Sequence, residues 1–203
     1  MKKIMFSERF GLEQAVLVGT KTMTRRIIKG NFEDVKAYHA NGGWHFIADT
    51  DEGDSVELKP QYEIGERVAI AQPYKNDGVL TYNAYNEDGT AREDGLQRHK
   101  EMLESKGYRN KMFVKAEYMP HRIRITGIKA ERLQDISEED YLREGLLAGE
   151  QEPRMYGFRL PKGTVLSFLT PREAFAALID RISGRGTWQR NPWVYAYTFE
   201  LIK

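Results

Sequence analysis

The sequence of 203 residues contains no cysteine. This absence excludes a disulfide framework and any metal site built on thiolates. The four histidines, His39, His45, His99 and His121, share no metal-ligand spacing, so no metal and no cofactor is expected. The sequence also lacks the phosphate-cradling G-x-x-x-x-G-K-[ST] pattern and the G-x-S-x-G elbow. Nucleoside triphosphate hydrolysis and serine hydrolase chemistry therefore have no support.

An excess of charge of either sign is also lacking, since 31 basic residues face 30 acidic ones. Without a global field to attract nucleic acid, any binding of RNA must use a local patch. No stretch approaches the roughly 20 apolar residues of a membrane span, and the N-terminus does not read as a signal peptide. The sequence predicts a cytoplasmic protein with no membrane partner.

The most informative stretch is Gly19–Arg26, with the sequence GTKTMTRR. Leu12, Ala15 and Val16 precede it at helical spacing, and Gly19 suits the left-handed residue that ends a helix. The β-branched and basic residues that follow favour an extended chain. Lys21, Thr24, Arg25 and Arg26 are thus delivered to one region, where an amine can activate a hydroxyl and guanidinium groups can hold an anion.

The same stretch also fits a plain exposed basic strand. In a regular strand residues 21 and 24 point to opposite faces, so they converge only if the backbone turns between them. A lysine near a helix C-terminus is stabilised in its charged form, which opposes a role as a base. Burial, or repulsion from Arg25 and Arg26, would have to lower the pKa of Lys21.

The pattern Gly19-x-Lys21-x-x-Thr24-x-Arg26 resembles the G-x-K-x-x-E-x-R signature of the ASCH family, which has a PUA-like fold. Threonine in place of glutamate resembles the small ASCH members that hydrolyse the acetyl amide of N4-acetylcytidine with a lysine, a threonine and a later glutamate. The matching later stretch, residues 133–145, puts Glu144 in the place of that glutamate. The closing segment, residues 186–193, resembles longer ASCH-like proteins of phages and prophages. The similarity covers roughly residues 4–30, 60–72 and 112–203.

This resemblance implies an α+β fold, a PUA-like (ASCH) small β-barrel with flanking helices, as a single domain over residues 1–203. An inserted segment is expected at 73–111, with a strand at 79–85 and a polar helix at 96–106. A hairpin is predicted around Asn41-Gly42-Gly43, and further strands at 112–115 and 122–128. A helix capped by Ser137 is expected to end near Glu144, followed by a loop-rich stretch at 146–168, a helix from Thr170 and a final strand with Tyr195, Tyr197, Phe199 and Leu201 on one face.

The resemblance implies Lys21, Thr24 and Glu144 as the catalytic set. Lys21 would deprotonate Thr24, and Glu144 would orient Lys21 or relay the proton. Arg26 or backbone N–H groups would hold the oxyanion. The candidate substrate-binding residues are Arg25, Arg26, Arg185, Trp188, Arg190 and Asn191. In the loop of residues 185–193 the indoles are suited to stack on a base. The competing interpretation is that Trp188 and Trp193 plug one end of the barrel, which fits Trp193 better than Trp188.

Two classes of function remain open from the sequence. The first is an amidohydrolase acting on a modified nucleoside or RNA such as N4-acetylcytidine. The second is a non-catalytic RNA-binding module, in which the same cations bind phosphate. A weaker third is a phage accessory protein whose insertion at 73–111 binds another protein.

Overall fold

The computed structural model describes residues 1–40 and 42–202 and shows a mixed α+β protein. Its strands form three sheets, and none of the sheets is closed into a barrel within these residues. The chain divides into two compact units. Unit 1 comprises Met1–Phe6, Arg67–Arg124 and the end of the chain from Leu201, and unit 2 comprises Ser7–Glu66 and Ile125–Glu200.

The strands in chain order are β1 (Lys3–Ile4), β2 (Met23–Ile27), β3 (Phe32–Ala40), β4 (Gly43–Thr50), β5 (Ser55–Leu58), β6 (Arg67–Ile70), β7 (Arg122–Arg132), β8 (Leu147–Ala148), β9 (Tyr156–Arg159), β10 (Val165–Phe168) and β11 (Trp193–Ile202). The α-helices are α1 (Leu12–Leu17), α2 (Asp77–Ala84), α3 (Gly95–Glu104), α4 (Glu138–Arg143), α5 (Pro171–Ser183) and α6 (Thr187–Arg190). No helix among the described residues is both long enough and apolar enough to cross a membrane.

In unit 1, β6 pairs parallel with β1 and antiparallel with the start of β7. The predicted inserted segment, residues 73–111, lies within this unit and contributes α2 and α3. A core of eight buried residues holds the unit together: Ala69, Ala71, Tyr74, Val79, Met102, Val114, Tyr118 and Met119. The polar helix predicted at 96–106 is confirmed as α3.

The strand predicted at residues 79–85 is wrong, because these residues belong mostly to α2. The Asn76 side chain accepts a hydrogen bond from the Gly78 N–H and caps the helix. Val79 and Asn83 then face the core one helical turn apart, and the Asn83 amide donates to the carbonyls of Val79 and Tyr118. Capping and burial thus override the β propensity of this segment. The strand predicted at 112–115 is also wrong, since a short 3-10 helix occupies residues 111–113.

In unit 2, the part of β7 from Ile125 onward, β11 and β2 are hydrogen-bonded neighbours in that order. The antiparallel register of β2 and β11 places Thr24 opposite Tyr197 and Arg26 opposite Tyr195. The predicted final strand is confirmed, with Tyr195, Tyr197 and Phe199 buried. Leu201, predicted on the same buried face, is 38% exposed, since it lies beyond the part of β11 that pairs with β2.

The predicted hairpin is confirmed as β3 and β4, while Asn41 of its turn lies outside the described residues. β3, β4 and β5 pair only with one another among the described strands. The expected closed barrel is therefore not observed, because closure needs each strand to be hydrogen-bonded to two neighbours in one continuous sheet. Instead, the inner face of this hairpin sheet packs on β11 through Phe46 and Tyr195, whose ring centroids lie 5.1 Å apart.

Residues 146–168, expected to be loop-rich, carry the third sheet, in the order β10-β9-β8. The helix predicted from Thr170 is confirmed as α5, with a complete capping box between Thr170 and Glu173. Phe175 on this helix contacts Tyr141 of α4 at a centroid distance of 5.5 Å. This aromatic contact fixes α4 against α5 within unit 2.

The two tyrosines of β11 give a first testable difference. Tyr195 is 6% exposed and its hydroxyl has no hydrogen-bond partner among the described residues, whereas the Tyr197 hydroxyl accepts from the Gln61 N–H at 3.0 Å. A buried polar group without a partner costs about 1–3 kcal/mol. We expect Tyr195→Phe to keep or raise the free energy of unfolding, and Tyr197→Phe to lower it by about 1 kcal/mol. Urea unfolding checks both, and equal losses in the two variants would contradict the difference.

Candidate functional site

Lys21 lies between the end of α1 and the start of β2. Gly19 has φ +79°, which confirms the predicted left-handed residue after the helix. The Lys21 N–H donates to the Ala15 carbonyl at 2.9 Å, so the connection is anchored to the helix that precedes it. The chain then enters β2 at Met23. The sequence GTKTMTRR is therefore a helix stop followed by a strand, as predicted.

The C-terminal end of α4 docks on this connection. Ser137 caps the start of α4, as predicted, and Glu144 is the residue that ends it. The Thr22 N–H donates to the Arg143 carbonyl at 2.9 Å. The Lys21 ammonium donates to the Glu144 backbone carbonyl at 2.6 Å and to Glu144 Oε2 at 2.7 Å. Lys21 thus caps the helix and neutralises the carboxylate that the helix dipole disfavours at this end.

Arg25 connects Glu144 to two further carboxylates. One of its terminal nitrogens donates to Glu144 Oε1 at 2.9 Å, and the other lies 3.1 Å from Asp140 Oδ2. Its Nε donates to Glu131 Oε1 at 2.9 Å. The Arg25 side chain is 1% exposed. Arg25, predicted to bind substrate, is therefore committed to protein carboxylates.

Two partly exposed cations complete the buried network. Lys129 lies 2.9 Å from Glu131 and 3.3 Å from Asp140. Arg143 lies 3.1 Å from Asp140. Because each of the three carboxylates touches at least two cations, the negative charges are compensated despite their burial.

Burial and neighbouring charges act in opposition on the pKa values of this network. Burial lowers the pKa of Lys21 below its ordinary value of 10.5; Glu144 opposes this shift, and Arg26 and Arg25 add to it. Burial also acts to lower the pKa of Arg25, but Glu144 and Glu131 outweigh it and raise that pKa. Burial alone would raise the pKa of Asp140, but hydrogen bonds from Lys129 and Arg25 hold it below its usual range.

Thr24 and Arg26 alternate to the other face of β2. Thr24 is 5% exposed, and its hydroxyl makes no hydrogen bond to any described residue. Burial raises the pKa values of the Tyr62 and Tyr197 phenols, that of Tyr62 to about 12. The nearby charge of Arg26 opposes this rise in both. The structure thus joins Lys21 to Glu144 by hydrogen bonds and leaves the Thr24 hydroxyl without a bond to either.

The other candidate residues cluster around α6. Arg185 and Trp188 line a cavity of about 550 Å³ beside α5. The Trp188 ring lies almost perpendicular to the Phe175 ring, with the Arg172 guanidinium 4.9 Å from its centroid. Arg190 donates to the Thr187 hydroxyl at 2.9 Å.

Asn191 and Trp193 have structural contacts in the same part of unit 2. Asn191 has φ +46°, and its side-chain oxygen accepts from the Gln134 N–H at 2.7 Å. The Trp193 indole donates to the Phe32 carbonyl at 3.2 Å beneath the Arg132 guanidinium. Asn191 therefore fixes the chain at its left-handed turn.

Sequence reasoning missed Glu131, Lys129 and Asp140 as members of this network. The available signal was the continuation of β7 beyond Ile128. There Lys129 and Glu131, two residues apart on a strand, project to one face with opposite charges. Such a charged pair at the end of an otherwise half-buried strand indicates a partner for a buried cation.

Comparison of the chain with protein-family models, with curated proteins and with solved structures finds no match. The ASCH resemblance thus rests on the motif residues themselves. Within the described residues, no group of three or more histidine, aspartate or glutamate side chains is arranged to hold a metal ion.

Removing the charge of Glu144 should be more damaging than removing that of Lys21. Glu144→Gln leaves the Lys21 ammonium buried without its counter-charge, and loss of one partner of a buried pair costs about 3–5 kcal/mol. Lys21→Met should cost less, because Arg25 still binds Glu144. Urea unfolding of both single variants and the double variant gives the coupling energy. Additive losses would show that the pair contributes no coupling.

Gly145 provides a geometric test of how tightly Lys21 is enclosed. It has φ +95°, and a Cβ added there would lie 3.3 Å from side-chain atoms of Lys21 and Leu12. Gly19 also has a positive φ, but a Cβ there meets nothing within 4 Å. Gly19→Ala should therefore cost only the backbone strain of about 1–2 kcal/mol. Gly145→Ala should add about 1–3 kcal/mol of overpacking, measurable by urea unfolding.

Proposed function

We propose that this protein is a PUA-like, ASCH-type amidohydrolase that removes the acyl group from an acylated nucleobase such as N4-acetylcytidine. The observation that carries the proposal is the buried pair of Lys21 and Glu144, at 2.7 Å, between the two motif segments named by the resemblance. These residues are 123 positions apart in the sequence. A buried amine whose pKa is lowered, next to an orienting carboxylate, is the arrangement that a lysine base requires.

In the proposed reaction the neutral amine of Lys21 accepts the proton of the Thr24 hydroxyl. Lys21 Nζ is hydrogen-bonded to Glu144 and makes no hydrogen bond to the Thr24 hydroxyl, so this transfer requires a bridging water molecule. Thr24 Oγ1 attacks the acyl carbon, the carbon–nitrogen bond breaks, and the Lys21 ammonium returns the proton to the leaving amino nitrogen. Water then hydrolyses the threonine ester, releasing acetate and a proton and restoring the hydroxyl. Arg26, on the face of Thr24, stabilises the oxyanion.

The second candidate is a non-catalytic nucleoside- or RNA-binding module. It is favoured by the hydrogen bonds of the Lys21 ammonium to Glu144 and by the absence of any hydrogen bond from the Thr24 hydroxyl to a described residue. In this function the network of Lys21, Arg25 and Glu144 only stabilises unit 2.

Turnover of N4-acetylcytidine, followed by chromatography of released cytidine, separates the two functions. Thr24→Ala should abolish release, and Thr24→Ser should keep part of it, since serine retains the oxygen. Lys21→Arg should be as damaging as Lys21→Ala, because a guanidinium does not accept a proton near neutral pH. Unfolding curves of the four variants provide the control for folding. No release by the wild-type protein from the nucleoside or from acetylated RNA would favour the binding module.

The pH dependence adds a separate test of Lys21 as the base. Since only the neutral amine accepts a proton, kcat should rise with pH through the pKa of Lys21, below 10.5. Glu144 raises this pKa, while Arg25 and Arg26 lower it. Glu144→Gln should therefore move the rising limb to lower pH, while reducing the maximal rate. If the rising limb of kcat against pH does not move in Glu144→Gln, Lys21 is not the base.

A further inference from the structure

A second candidate site lies in unit 2, away from the contacts of Lys21. It is a groove of about 660 Å³, lined by residues of β3, β4, β5 and β7 and of the chain between Leu58 and Ile64. Its apolar lining consists of Leu58, Pro60, Ile64 and Ile128 together with Trp44. This volume falls within the range of sites for small organic ligands.

Trp44 provides the groove with an exposed aromatic surface. It is 46% exposed, although the His39 ring packs almost perpendicular to it at a centroid distance of 5.7 Å. Guanidinium groups lie over the rings of Trp188 and Trp193, but none of the described arginines covers Trp44. A held but uncovered indole is a stacking surface for a planar ring.

The charged groups of the groove decide which planar ring fits. Its lining contains the carboxylates of Glu57 and Glu63 and a single ammonium, Lys59. Glu57 lies 3.5 Å from His45 Nδ1, whereas the Glu63 carboxylate forms no salt bridge with any described residue. Carboxylates accept hydrogen bonds from amino groups and repel phosphate. The lining therefore disfavours a nucleotide or a nucleic-acid strand and suits an uncharged ligand with an amino group.

We propose that this groove binds an uncharged, amino-bearing planar heterocycle of the nucleoside class, with its ring stacked on Trp44 and its amino group donating to Glu63. The site is independent of the proposed chemistry at Lys21. Binding here should therefore persist in Thr24→Ala and Lys21→Arg.

Isothermal titration calorimetry with guanosine, adenosine and cytidine tests the proposal, with uridine as the ring that lacks an amino group. At least one amino-bearing nucleoside should bind saturably, and uridine should bind at least ten-fold more weakly. The corresponding 5′-monophosphates should also bind more weakly than the nucleosides, and raising the salt concentration should shrink that difference.

Variants of the groove locate the binding. Trp44→Ala and Glu63→Gln should each weaken binding of the amino-bearing nucleoside about ten-fold or more. Tyr85→Ala, which removes an exposed aromatic ring outside the groove, is the matched control, and it should leave binding unchanged. Because Trp44 is half exposed, Trp44→Ala should fold, and circular dichroism checks this. If Trp44→Ala does not fold, Trp44→Leu replaces it in the binding experiment.

Three outcomes would overturn the proposal. The first is that none of the amino-bearing nucleosides binds the wild-type protein, and the second is that binding is unchanged in Trp44→Ala. The third is self-association of the protein that Trp44→Ala abolishes in the absence of nucleoside binding, which would assign the groove to contacts between copies of the chain.

Discussion

The carboxylate of Glu144 is the interaction on which the candidate site depends. Its two oxygens are bound by different cations, Oε2 by Lys21 and Oε1 by Arg25. Lys21 comes from the connection after α1, Arg25 from β2 and Glu144 from the end of α4. One side chain therefore connects three elements of unit 2 through charge-assisted hydrogen bonds.

The same network limits what each residue can do. Arg25, in the motif, has its guanidinium occupied by Glu131, Asp140 and Glu144, so it serves to position Glu144 rather than to meet a ligand. Lys21 remains the candidate base, because burial lowers its pKa while Glu144 opposes that shift. A base in this position is held in place by a carboxylate that also stabilises its charged form, a balance that the Glu144→Gln variant shifts in a known direction.

The two candidate sites of unit 2 differ in the kind of recognition that they offer. Around Lys21 the groups are buried and charged, and their hydrogen bonds are made to one another. Around Trp44 the lining is partly exposed and combines apolar side chains with carboxylates and histidines. The first arrangement suits proton transfer at one atom, and the second suits binding of a flat ring.

The sequence by itself determined several local elements and, through the resemblance, the identity of the central pair. Gly19 predicted the helix stop, Ser137 and Thr170 predicted helix caps, and the alternation of Tyr195, Tyr197 and Phe199 predicted the buried face of β11, because each of these signals acts within a few residues. The resemblance named Lys21 and Glu144 together. Only the tertiary structure decided that α2 is a helix, that the hairpin strands form their own sheet and that Arg25 is buried among carboxylates. These outcomes depend on contacts between residues as distant as Arg25 and Asp140, 115 positions apart, to which local propensity and periodicity are blind.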